Sequence, residues 1–332
     1  MKTQRWCIPV SNIGWDESTG SKFLRRGTFP HVVLFICVIY IRLILRVAFL
    51  VLTERAVLRL SQIRKGPNVV GPWRVVQCVA DGLKLATKTS LNLTPSSVKL
   101  YAFSPVLLTT LAITLISSVP IPIPLSSFSY NILALFLVVS LLTFPFILLR
   151  FTYRSAYSTT RAVRVVGLIM SYEILLLLLI LFYKRSFGSW SWTLTVSSSI
   201  SPSNTWSQLL LTPPLMILWL MELGRTPFDL AERESELVSG FNVEYGRFRF
   251  LFFFFSEILC LLSMSLMFSI IVFQPTSYAT TTARILFFVL FSLVVRAALP
   301  RFRLIDTQNY VWFRLTPWVI LVRSLITLIS LT

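Results

Sequence analysis

Charge is scarce in this chain, and acid is the scarcer sign. Charged residues make up 13% of its 332 positions against a hydrophobic share of 55%, and a soluble domain carries about twice that charge density, so most of the chain belongs in a bilayer. One histidine and four cysteines (Cys7, Cys37, Cys78 and Cys260) include no Cys-x-x-Cys pair. That pattern argues against a protein-ligated zinc or iron–sulfur centre. Eleven glycines form neither a GxGxxG turn nor a Walker loop, so the chain carries no recognisable nucleotide cradle. Thirteen acids stand against 31 lysines and arginines, a net charge of +18. In a nucleic-acid binder such an excess forms dense stripes on a polar surface. Here the cations stand between apolar runs, and nucleic acid is not an expected partner.

What is present is the pattern of an all-α integral membrane protein. Eight apolar stretches near 30–52, 101–119, 128–149, 165–183, 206–221, 250–273, 281–299 and 311–331 are long enough to cross a hydrocarbon core. Residues 1–29 are polar, with breakers at Gly14, Gly20 and Gly27. They lack the apolar core of a signal peptide and read as an extension ahead of a membrane domain at 30–332. Between the first two stretches, Arg74, Gln77, Asp81, Lys84 and Lys88 recur at spacings of three and four, which predicts an interfacial helix over 73–88. That helix either rests on the membrane surface or forms part of a binding cavity. Of the 31 cations, 19 fall in or beside the loops after odd-numbered spans, and seven in the N-terminal tail and even-numbered loops. Both termini are therefore expected on the side away from the cytoplasm or matrix.

The few acids are unevenly placed. Seven of the thirteen (Glu222, Asp229, Glu232, Glu234, Glu236, Glu244 and Glu257) lie within 36 residues, most of them in a loop at 222–249. Glu257, in LFFFFSEILCLL, and Glu173, in MSYEILLLLLILF, stand inside apolar sequence. A charge at mid-bilayer costs about 2.5–3.5 kcal/mol on the most lenient scale, so such residues mark proton or ion pathways. The plainer alternatives are a neutral acid hydrogen-bonded to a helix neighbour, or an ion pair with an arginine such as Arg164. In the loop, Thr226 followed by Pro227 and Asp229 is a helix-start signal, and a continuing helix would put Asp229, Glu232 and Glu236 on one face. A solvated acidic loop that docks a basic partner is the competing reading. The run Phe252–Phe255 reads as lipid-facing or core, although an apolar tail would suit such a wall.

Several blocks are more specific. TER (53–55), RKGPNVVGP (64–72), ADGLKL (80–85), SYE (171–173), RTPFDLAERESELVSGFNVEYG (225–246) and PRFR (300–303) together resemble the family of subunit 1 of respiratory complex I. The resemblance runs colinearly from about residue 30 to 320. It implies an eight-helix subunit of the mitochondrial inner membrane, with both termini in the intermembrane space. In that family the subunit forms much of the chamber where ubiquinone is reduced, and helps couple that reduction to proton translocation. By matching motifs, Glu54, Arg55, Asp81, Glu222, Arg225, Asp229, Phe254 and Arg296 fall at the quinone chamber. Glu173, Glu232, Glu234, Glu236, Glu257 and Arg164 fall on the coupling and proton path. NADH, FMN and iron–sulfur clusters are expected only in other subunits. The implied partners are the hydrophilic-arm quinone-module subunits, the antiporter-like membrane arm, ubiquinone and membrane lipids, cardiolipin among them. The sequence departs from the family where Arg233 enters the acidic row, where Arg247-Phe248-Arg249 follows the NVEYG block, and where Arg42, Arg46 and Arg323 enter spans. A membrane subunit of a related hydrogenase-type complex shares the fold, and an autonomous ion transporter is a more remote alternative.

Overall fold

A computed structural model describes residues 29–65, 76–88, 98–119, 131–152, 156–187, 202–228, 248–273 and 278–331. The described residues are helical or in turns and contain no strand. The helices are α1 (Phe29–Ser61), α2 (Gln77–Thr87), α3 (Val98–Ser118), α4 (Asn131–Leu141), α5 (Thr143–Thr152), α6 (Ala156–Phe187), α7 (Pro202–Glu222), α8 (Phe248–Val272), α9 (Tyr278–Ala298), α10 (Leu304–Tyr310) and α11 (Thr316–Leu331). A π-helical turn, Val311–Leu315, joins the last two.

Four helical segments are long and apolar enough to cross a membrane: Leu100–Ser118, Val166–Tyr183, Arg249–Val272 and Ala279–Ala298. They match the second, fourth, sixth and seventh expected spans. Ile132–Pro145 and Leu210–Glu222 are shorter apolar segments at the third and fifth. The third is interrupted at Leu142, whose N–H is shared between the carbonyls of Val138 and Val139. The cause is Pro145, which has no N–H to return to the Leu141 carbonyl and whose ring crowds it. The expected first span ends well short of its helix, because α1 runs on through the TER block. The interfacial helix occupies 77–87 within the expected 73–88, and Trp73 and Arg74 lie outside the described residues.

The chain divides into two units, Met1–Phe49 and Leu50–Thr332. In the first, α1 begins, and Arg42 and Arg46 are exposed on it beside Ile41, Ile44 and Leu45. The second unit holds the core. Its central helix is α8, which packs against α3, α7 and α9. Close approach is possible because buried small residues line these helices: Ser104 and Ala112 on α3, and Ser256, Ser263, Ser265 and Ser269 on α8. In lipid, where apolar surface gains nothing from leaving water, close packing between small residues is a main source of helix association. Each of those four α8 serine hydroxyls donates to the carbonyl three residues back, so no polar hydrogen is left facing hydrocarbon. Larger side chains fill the middle. Trp219, Phe268 and Phe288 meet with ring centroids 4.7–5.8 Å apart, locking α7, α8 and α9 together.

Candidate functional site

Three of the sequence blocks singled out above converge at the ends of α1, α7 and α9. Glu54, on the last third of α1, is buried, with its side chain 10% exposed. Its Oε1 accepts a hydrogen bond from Arg296 Nη1 at the end of α9. The same oxygen lies 3.0 Å from Arg225 Nη1. That Arg225 nitrogen is buried and makes no aligned hydrogen bond, so its hold on Glu54 is Coulombic. One carboxylate facing two guanidiniums leaves the cluster with a surplus positive charge. A buried arrangement of this kind is tolerated only while its counter-charge stays in place.

The backbone around this cluster is tied by long-range bonds. Thr226 and Pro227 were expected to open a helix. Residues 225–228 form a turn closed by Phe228 N–H on the Arg225 carbonyl at 2.8 Å, and the continuation of the expected helix lies outside the described residues. The Thr226 hydroxyl donates to the Arg296 carbonyl at 3.1 Å, and Phe302 N–H donates to the Pro227 carbonyl at 3.1 Å. Phe228 and Phe302 stack beside this join at 5.6 Å. The Thr226–Pro227 peptide bond is cis.

Next to Glu54, Arg55 bridges α1 to α2 through Asp81 at 2.6 Å, and Gln77 Nε2 steadies the other Asp81 oxygen at 3.0 Å. This pair is partly exposed. Near the start of α2 stands Cys78, whose thiol is pushed up by burial, against the Arg55 guanidinium that lowers it and with the Asp81 carboxylate raising it further. At the start of α8, Arg249 lies over the Tyr101 ring of α3, 4.2 Å from its centroid. This cation stands where the family-like block departs, and an aromatic face stabilises it in place of an acid.

A second group lies deeper. Glu222 ends α7, one turn before Arg225, and interacts electrostatically with Glu173 and Tyr172 of α6. Cys260 of α8 in turn feels both Glu222 and Glu257. Glu173, Glu222 and Glu257 are therefore brought into one neighbourhood by α6, α7 and α8. An ion pair between Glu173 and Arg164 is excluded, because nine residues of helix separate them by roughly 13 Å and place them on opposite faces. Phe254 is exposed while Phe253 is buried, as a lipid-facing or cavity-facing residue beside a core residue would be. Asp229, Glu232, Glu234 and Glu236 lie outside the described residues. Among the described residues no group of three or more His, Cys, Asp or Glu is placed to hold a metal ion.

Sequence reasoning found Glu54, Arg225 and Arg296 separately but not the fact that they share one oxygen. It also passed over Tyr172, for which the usable signal was a tyrosine adjoining an intramembrane acid.

The family described as NADH dehydrogenase matches residues 34–327. Among curated proteins, the chain is 36% identical over 287 residues to the NADH-ubiquinone oxidoreductase chain 1 of Phascolarctos cinereus, covering 83% of this chain and 89% of that protein. The protein of the same name from Balaenoptera physalus is 35% identical over 287 residues, with the same coverage. That from Papio hamadryas is 36% identical over 282 residues, covering 81% of this chain and 87% of that one.

Proposed function

The chain belongs to the NADH dehydrogenase family, and from that premise we propose that it serves as chain 1 of an NADH–ubiquinone oxidoreductase. In this reading it is a multi-pass subunit of the mitochondrial inner membrane with eight spans and both termini in the intermembrane space. It forms much of the ubiquinone chamber and couples quinone reduction to proton translocation. The observation that carries the reading is the adjacency of two charge groups. Glu54, Arg225 and Arg296 meet at helix ends, and Glu222, one turn from Arg225, leads to Glu173 and Glu257 inside the bilayer.

The chemistry follows from that adjacency. Reduction of a quinone to a quinol takes up two protons and changes the charge beside the headgroup. The surplus guanidinium charge around Glu54 is suited to hold an electron-rich oxygen there. A charge change at Arg225 is felt at Glu222 and then by the intramembrane acids, whose protons can redistribute in response. Phe254 supplies apolar wall for the isoprenoid tail. By the matching motifs, Asp229 belongs to the quinone chamber, and Glu232, Glu234, Glu236 and Arg164 to the coupling and proton path. Electrons arrive from NADH through FMN and iron–sulfur clusters of partner subunits. The exposed arginines of α1 suit anionic lipid headgroups such as those of cardiolipin.

The test is Glu257→Gln in the assembled complex. Protons moved per electron should fall while assembly and the NADH-oxidising activity of the arm persist. An assembled variant with unaltered quinone reduction and unaltered pumping would overturn the proposal.

A further inference from the structure

At the end of α1 one residue goes against its surroundings twice. Past Ser61 the helix closes in a two-bond C-terminal cap, in which Arg64 N–H donates to the Arg59 carbonyl at 3.2 Å and Ile63 N–H to the Leu60 carbonyl at 3.3 Å. Such a cap needs a left-handed residue where Ile63 stands, a place usually taken by glycine. Here it is isoleucine, at φ 50°, and a β-branched side chain crowds its own backbone in that region. The side chain gains little in return within this chain, because Ile63 is 96% exposed. Leu60, just before it, is 70% exposed. Arg64 and Lys65 follow, both exposed, and among the described residues neither is paired with an acid. Glycine at position 63 would relieve the backbone and remove the apolar exposure together. A residue that breaks two local preferences while burying almost nothing in its own chain points to a contact outside that chain.

The distance of this cap from the membrane decides between lipid and protein as the other side of that contact. Arg55 holds α1 to α2 through Asp81. On α2, Val79 and Leu83 are exposed one turn apart, an apolar edge by which an interfacial helix rests on lipid. From Arg55, α1 runs six residues further to Ser61, about 9 Å, and Ile63 lies beyond that. A headgroup layer is about 5–8 Å deep, so the cap stands past the headgroups and not among them. Two exposed aliphatic side chains with unpaired cations beside them then fit a protein surface, an apolar socket whose rim is acidic.

We propose that the cap of α1 is a docking knob for the hydrophilic arm, with Leu60 and Ile63 entering an apolar socket on an arm subunit and carboxylates on its rim facing Arg64 and Lys65. It rests on the reading above, in which the chain joins an NADH-oxidising arm. The test uses the assembled complex and begins with Ile63→Gly, where fold and docking respond with opposite signs. Hydrogen exchange of the Arg64 amide, which closes the cap, should be unchanged or slower, because glycine suits the backbone. Release of the arm in mild chaotrope should be about tenfold faster, because the side chain that enters the socket is gone. Arg64→Gln combined with Lys65→Gln should flatten the salt dependence of that release. In Ile63→Cys, the introduced thiol should be shielded from maleimide in the intact complex and reactive once the arm is stripped. A photoactivated cross-linker on that thiol should join to a peptide of an arm subunit. Release at the wild-type rate in Ile63→Gly overturns the inference, as does a thiol that labels equally with and without the arm, or one that cross-links to lipid alone. Should Ile63→Gly fail to assemble, labelling and cross-linking of Ile63→Cys decide by themselves. A complex that carries no NADH-oxidising arm removes the proposed function and this inference together. An arm held as firmly by every variant as by wild type removes the inference alone.

Discussion

Replacing Glu54 by alanine should loosen the join between α1, the 225–228 turn and α9 more than any other single change at the helix ends. The carboxylate is the shared counter-charge of Arg225 and Arg296, and the Arg225 side chain is 15% exposed. Removing one partner of a buried ion pair costs about 3–5 kcal/mol, because the remaining charge is stranded away from water. The Arg296 share is smaller, since its side chain is 37% exposed and water screens it. The stranded group that sets the magnitude is therefore Arg225. The amides of Phe228 and Phe302, bonded to the Arg225 and Pro227 carbonyls, report on this region. Hydrogen exchange on the assembled complex should show their protection falling by about a hundredfold to a few thousandfold, which is that cost at about 1.4 kcal/mol per decade. Glu54→Gln should lose nearly as much, because the hold on Arg225 is Coulombic and a neutral amide oxygen, which can keep the Arg296 hydrogen bond, leaves the Arg225 charge unpaired. Unchanged protection of both amides in Glu54→Ala would refute the reasoning, since the cluster would then be a screened surface contact worth no more than about 1 kcal/mol.

Two further outcomes are expected. The Cys78 thiol, raised by burial, with the Arg55 guanidinium lowering it and the Asp81 carboxylate raising it, should react with a maleimide more slowly than an unhindered cysteine near pH 8 and gain rate as the pH rises. Asp81→Asn should accelerate that reaction and Arg55→Met slow it; the opposite order, read by mass spectrometry of the labelled complex, would show that accessibility and not charge governs the thiol. For the topology, tags fused to either terminus should be cleaved by protease added to the intermembrane-space face of mitoplasts. Protection of both tags there, with cleavage only from the matrix face, would reverse the proposed orientation.

How much of this was legible in the sequence depended on the range of the interaction involved. Apolar length located the four long apolar segments to within a few residues, because crossing hydrocarbon is a constraint that each segment meets by itself. The interruption at Leu142 was readable in principle from Pro145, but a run of 22 apolar-rich residues looks like one span unless the missing donor is weighed. Thr226-Pro227 carried a local signal for a helix start, but nothing local shows that Arg296 and Phe302, some 70 residues away, bond its hydroxyl and carbonyl. The same reason hid the Glu54 cluster. Each of its three residues was conspicuous as a charge near an apolar run, yet nothing local in sequence shows that two arginines share a single oxygen.

Glu222 shows why the acids remain informative after the fold is known. It stands in the last turn of α7, where the helix dipole is negative and favours a cation. It also lies within electrostatic reach of Glu173, so a second unfavourable interaction is added to the first. Arg296, in the last turn of α9, obeys the rule that Glu222 breaks, and its dipole interaction and its bond to Glu54 reinforce one another. Packing needs alone would be met at position 222 by leucine or glutamine without either cost. Local preferences are ordinarily satisfied throughout a fold, and a residue that contradicts several of them at once marks a site kept for function rather than stability. By that criterion Glu222 is the pivot of the arrangement. In the proposed reading it is the residue that stands, one turn from Arg225, between the helix-end cluster and the intramembrane acids.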